Sequence, residues 1–143
     1  MWEDVASRLP VHLNTSTGRA GVDAYHPEYD GYDGKTTIKQ ADVALLGWPL
    51  DIGSIGIGNM TPAVRRADLD WYAPVTDNNG PAMTWGMHAV GLLEVGDEAA
   101  AAPFFNRSFA NVAGPFAVWF EEPGQNGASY SGSSARRARM TGM

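Results

Sequence analysis

Two short stretches set carboxylates among aromatic rings. His26-Pro27-Glu28-Tyr29-Asp30-Gly31-Tyr32 gathers an imidazole, two acids and two tyrosines, and Val118-Trp119-Phe120-Glu121-Glu122 joins two large rings to two glutamates. Rings stack on the flat faces of sugars and carboxylates take hydroxyl protons, so this combination is one that carbohydrate pockets use. Apolar surroundings also raise a carboxyl pKa toward the range useful for general acid or base work. The same residues more often form ordinary loops whose rings close a core, and composition alone favours that reading. Only pocket geometry separates the two.

Other chemistries fit less well. Gly53-Ser54-Ile55-Gly56-Ile57-Gly58 has the glycine density of a phosphate loop but lacks the Gly-Lys-Ser/Thr ending and a preceding strand. It reads as a flexible connection. His12, His26 and His88 share no metal-ligand spacing and cysteine is absent. No metal or cofactor is therefore expected, and disulfides and thiolate chemistry are excluded. His88, within an apolar helical stretch, reads as a hydrogen-bonded core residue. The sequons at Asn14, Asn59 and Asn106 carry no weight without a leader. Ten Lys and Arg against 16 Asp and Glu leave a net charge of −6, which disfavours a nucleic-acid partner. No apolar run approaches the roughly 20 residues of a membrane span. Met1-Trp2-Glu3-Asp4 opens no secretory leader, which favours a cytoplasmic location.

The elements that must position these residues are helical. Trp2, Val5, Ala6 and Leu9 lie at i, i+3, i+4 and i+7 of a helix that Pro10 stops. A turn-rich stretch over 14–34 leads to a helix over 36–47, apolar almost all round, with Lys39, Gln40 and Asp42 in its first turns. After the 48–60 loop, Thr61-Pro62 supplies an N-cap and a first-turn proline. The helix it opens puts Val64, Ala67 and Trp71 on one face and Arg65, Arg66, Asp68 and Asp70 mostly on the others, as a surface helix would. Asn78-Asn79-Gly80 is a turn. Pro81 opens a helix ending at Gly96 that is apolar on every side, through Met83, Trp85, Met87, Val90, Leu92 and Leu93, and should be the most buried. Asp97 caps a last helix that Pro103 should kink or break, with Phe104, Phe105 and Phe109 as its contacts. Phe116–Phe120 is the one possible strand. The fold class is all-α, and the Gly/Ser/Arg-rich tail over 124–143, with Arg136-Arg137-Ala138-Arg139 as a solvated end, should be poorly ordered.

Five stretches, in order, resemble the catalytic domain of glycoside hydrolase family 65, in its hydroxylysine-glucosidase and acid-trehalase-like branch. They are His26–Tyr32, Ile38-Lys39-Gln40-Ala41-Asp42-Val43, Gly80-Pro81-Ala82-Met83-Thr84-Trp85, Asn106–Asn111, and Pro115-Phe116 with Val118-Trp119 and Glu121. The resemblance covers residues 1–123. It implies an (α/α)6 barrel, the six-hairpin glycosidase architecture. Since twelve helices need several hundred residues, the chain would hold only the C-terminal hairpins of that domain. It further implies that Lys39 and Gln40 bind the glucosyl unit in the −1 subsite, that Glu121 is the general base of an inverting reaction, and that Trp119 forms an aromatic wall. The sequence departs from the family in lacking an Asp-Glu-Tyr-type acid motif before His26, in carrying Phe120 where Thr is common, and in Pro103.

The expectation is a fragment of an inverting α-glucoside hydrolase that releases glucose from a disaccharide or from glycosylated hydroxylysine. The chain alone would be inactive for want of the general acid. Two alternatives stay open: a family 65 disaccharide phosphorylase, against which Glu121 would repel phosphate, and a non-catalytic truncated remnant. A small or peptide-linked α-glucoside is the expected partner. Exposed core helices would favour self-association.

Overall fold

Where the helices begin is decided largely by local capping. In the computed structural model, which describes residues 2–122, α1 is Trp2–Arg8, α2 is Pro62–Tyr72, α3 is Ala82–Glu94 and α4 is Glu98–Arg107. The Thr61 side chain accepts the Val64 N–H, with Pro62 in the first turn of α2. The Asp97 side chain accepts the Ala100 N–H and starts α4. Between them α3 closes on Gly96 at φ +77°. There the Asp97 N–H bonds Leu92 O and the Gly96 N–H bonds Leu93 O, a Schellman ending that needs a residue free to adopt positive φ. Two 3-10 turns, Val43–Leu46 and Ala73–Val75, complete the helical content. Among the described residues there are isolated bridges but no strand, so the all-α class holds there.

α2 is the centre of the packing. Ala67, Trp71 and Tyr72 join Val22, Tyr25, Tyr32, Ile38 and Val43 in one cluster, and Leu69 joins Ala41, Ala44, Leu92 and Ala101 in another. Tyr25 stacks flat on Trp71 at 4.0 Å between ring centres. α3 lies along α4, and Gly91 brings α3 close to α2. A Cβ on Gly91 would come within 2.6 Å of the Leu69 side chain.

Several elements differ from the sequence reading, each for a physical reason. Only Val43–Leu46 of the expected 36–47 helix turns, as a 3-10 segment. Ile38 is engaged elsewhere, its N–H bonding Val75 O and its C=O accepting from the Asp77 N–H, in a parallel bridge beside Thr76. α2 is no surface helix, because Arg65 and Asp68 are buried along with its apolar residues. α3 buries Trp85, His88, Ala89 and Leu92 but leaves Met83 and Leu93 open. α4 runs unbroken through Pro103. The proline faces solvent, so its ring displaces no packed group. α1 forms and ends before Pro10, yet Trp2, Val5 and Leu9 are exposed, Trp2 at 83%. Around Phe116 a turn with Ala117 at φ +52° is closed by the Ala113–Val118 bridge, and no strand results. The expected tail over 124–143 lies outside the described residues.

Candidate functional site

The first turn of α3 has N–H groups that its own sequence leaves uncapped, since Pro81 offers no side-chain acceptor. The chain returns to satisfy them. Glu121 O accepts the Ala82 N–H at 2.7 Å, and Glu121 Oε1 accepts the Met83 N–H at 3.1 Å. Asn111 Nδ2 donates to Glu121 O at 3.1 Å. The carboxylate thus sits at a helix N-terminus, where negative charge is favoured. One residue on, Glu122 Oε1 lies 3.6 Å from Lys39 Nζ.

Lys39 arrives from the 36–42 segment through the Ile38–Thr76 bridge. The close approach continues at Gly80, where a Cβ would come within 2.6 Å of Lys39 O. Lys39 and Gln40 are consequently exposed loop residues, not residues of a buried helix. Two residues before Glu121, the Trp119 indole N–H donates to Ser108 O at 2.7 Å, and its ring stays 43% exposed. Of the residues singled out by sequence, Lys39, Glu121 and Glu122 meet at one end of α3. Trp119 is anchored close by in sequence, and Gln40 lies in the open beside Lys39.

A second constellation was only half visible in the sequence. A cavity of about 440 Å³ lies between the His26–Asp30 loop and the Asp42–Leu46 turn. Burial first, then the facing Asp42 carboxyl, raises the Glu28 pKa to about 7. Asp42 had no sequence signal as a partner for Glu28, because their meeting depends on how the two loops fold back.

Behind this cavity His26 is fixed from three sides. Its N–H bonds Asp68 Oδ1 at 2.7 Å, Nδ1 lies 2.8 Å from Asp68 Oδ2, and Nε2 lies 2.7 Å from Gly58 O. Burial lowers the His26 pKa, and the Asp68 hydrogen bond and charge outweigh it, so the net direction is upward. With acceptors on both ring nitrogens the imidazolium satisfies both. The pair ties the end of the Gly-rich loop to α2. Gly58, at φ +69°, is required for the close approach, since a Cβ would stand 2.8 Å from Val11 Cγ1. Arg65 is held under Gly47 by Ala44 O at 2.6 Å and Glu94 Oε2 at 2.8 Å. Among the described residues no group of three His, Cys, Asp or Glu converges as a metal site, and no helix is long and apolar enough to cross a membrane.

No family model and no solved structure matches the chain. Curated proteins do match it. The protein-glucosylgalactosylhydroxylysine glucosidase of Mus musculus is 42% identical over 127 residues, which is 89% of this chain and 17% of that protein. The acid trehalase of Emericella nidulans is 30% identical over 117 residues, 80% of this chain and 11% of the trehalase. The kojibiose hydrolase of Mucilaginibacter mallensis is 31% identical over 125 residues, 86% of this chain and 16% of that enzyme. The chain is therefore similar to glucoside hydrolases over most of its length, while spanning less than a fifth of each of these relatives.

Proposed function

We propose that this chain carries the base-bearing part of an inverting α-glucoside hydrolase of glycoside hydrolase family 65, from the C-terminal hairpins of its (α/α)6 barrel. In this reading Glu121 is the general base, Lys39 and Gln40 hold the glucosyl unit and Trp119 walls the sugar. The observation that supports it best is the meeting of Lys39 and the Glu121-Glu122 pair at the start of α3, in a chain similar to hydrolases of glucosides.

The chemistry of inversion asks for a carboxylate that activates water on one face of the sugar and an acid about 6.5–9.5 Å away that protonates the leaving oxygen. Glu121 has the features of the first. Its backbone and Oε1 are pinned to α3, and in this reading Oε2 takes the proton from water. The two glutamates divide by partner, Glu122 facing Lys39 and Glu121 facing the helix. The acid belongs to the upstream motif that the family resemblance implies. We expect no turnover where that acid is missing, since one carboxylate cannot both protonate the leaving group and activate water. A carboxylate at the Glu121 position disfavours phosphate as the nucleophile, and the names of the relatives are those of hydrolases.

The test is a chimera in which this chain replaces the matched stretch of the mouse glucosidase. Glu121→Gln should lower kcat about 10²–10⁴-fold with KM little changed, and azide should restore turnover by attacking from the face of the lost water. Glu122→Gln should retain most activity. Near-normal turnover in Glu121→Gln together with loss in Glu122→Gln would move the base by one residue and overturn the assignment.

A further inference from the structure

The cavity between the His26–Asp30 loop and the Asp42–Leu46 turn has no part in the reading above: Lys39, Glu121 and Trp119 do not line it. At about 440 Å³ it falls within the about 300–1,000 Å³ of small-molecule sites. Val11, Val43 and Leu46 give it an apolar wall, and Glu28 and Asp42 stand as its polar groups. Tyr29 lies at the rim, 53% exposed, its ring set edge-on against Tyr32 at 5.3 Å between centres.

We propose that this cleft is a carbohydrate subsite that takes a neutral pyranoside, its hydroxyls on the Glu28–Asp42 pair and its face against Tyr29. This rests on the glucoside reading only for the class of ligand.

The polar end decides the ligand chemistry. Glu28 Oε2 is buried with no N–H or O–H to satisfy it. Its carboxyl faces that of Asp42, and burial together with the neighbouring acid favours the protonated form. The pair therefore offers one O–H donor and several acceptors side by side, matching vicinal hydroxyls that both give and receive hydrogen bonds. An anionic ligand would meet the pair and Asp30 with no Lys or Arg in the lining. The titratable groups that face Glu28 besides Asp42 are Tyr32, Tyr72, His26 and His12, and the charge of the His26 imidazolium is taken up by Asp68. Tyr32 and Tyr72 have raised pKa values, by burial first, and stay protonated. His26 is engaged by Asp68 and Gly58 O. His12 is the remaining ring on the lining.

The sign of the pH dependence follows. Below about pH 7 Glu28 holds its proton, and above it Glu28 ionises in a buried place facing another carboxyl. Titration of the full chain with methyl α-D-glucopyranoside, followed by amide NMR shifts, should move resonances of residues 26–30 and 42. Affinity should then weaken about tenfold per pH unit above 7. Glu28→Gln keeps a neutral donor at the same place and should bind like the parent with the pH dependence gone. Glu28→Ala and Tyr29→Ala should each lose about tenfold or more. Glu121→Gln should leave this binding unchanged, so a failure here and a failure of the general-base assignment show in different experiments. No shifts at 26–30, pH-independent binding in the parent, or equal loss in Glu28→Gln and Glu28→Ala would each overturn the proposal.

Discussion

His88 shows how much one residue's burial sets the response of this chain to acid. It is 1% exposed. Nε2 lies 3.1 Å from Thr76 Oγ1, whose hydroxyl donates to Tyr72 O, and Nδ1 is buried with no partner. The neutral ring with its proton on Nε2 fits these contacts, whereas protonating Nδ1 would bury an unpaired N–H and a charge near Arg65. Burial first and Arg65 second lower its pKa to about 4. The unfolded chain takes up this proton near pH 6.5 and the folded chain only near 4. The stability that His88 contributes is thus complete above 6.5 and is lost as pH falls through that interval, by about 3 kcal/mol in all. His88→Gln retains a donor toward Thr76 but cannot titrate. Urea denaturation of parent and variant across pH 4 to 6.5 should show the parent's acid loss reduced by about that amount. An unchanged loss in the variant would place the acid sensitivity elsewhere. At this scale the candidate site was legible only in part. Lys39, Gln40, Trp119 and Glu121 came from motif resemblance. The inward turn of Asp68 and Arg65 did not, because each is drawn in by a partner distant in sequence, His26 for one and Glu94 for the other.

Among the elements, what could be read was what the chain decides locally. Thr61-Pro62, Asp97 and Gly96 act within a few residues of themselves, and each ends or begins a helix where its chemistry implies. The 36–47 segment fails that rule because Ile38 spends its backbone bonds on Val75 and Asp77, more than thirty residues away, and apolar periodicity carries no information about that bridge. The start of α3 is the mixed case. Pro81 marks it, but the acceptors that cap it come from Glu121. α4 fails in the opposite direction, staying helical across Pro103 at a cost. The proline removes an N–H that would reach Ala99 O, and a helix-interior proline costs about 3 kcal/mol relative to alanine. With the ring solvent-facing, little packing offsets that cost. Pro103→Ala should therefore stabilise the chain by about 1–3 kcal/mol, measured as a higher denaturation midpoint at unchanged m value. A decrease would mean that the ring sets the path of α4 against α3.

For the whole molecule the relevant quantity is apolar surface left uncovered. The sequence led us to expect it along α3, as an inner helix without neighbours. The structure corrects that, since Trp85 stacks on Phe104 at 6.1 Å between centres and Leu92 packs with Leu69 and Ala101, covering one side of α3. The larger exposure lies at the end of α4 and beyond it. Phe105 and Phe109 pack edge to face at 5.2 Å and are each about half exposed, Trp119 is tied to Ser108 beside them, and Phe116 is 86% exposed. Single exposed apolar residues are ordinary, but exposed rings packed together, as Phe105 and Phe109 are, mark a surface that other atoms normally cover. In the mouse relative the matched stretch is 17% of the protein, and we propose that further helices of such a catalytic domain cover this end. The chain by itself should then associate through it. Sedimentation velocity should give a coefficient that rises with concentration, and the combined Phe105→Ser, Phe109→Ser and Phe116→Ser variant should remain monomeric with its helical content intact. None of these three rings belongs to the two buried clusters, so their replacement tests the surface and not the core. A parent chain that sediments as one concentration-independent monomer and melts in a single two-state transition would show that this end needs no cover.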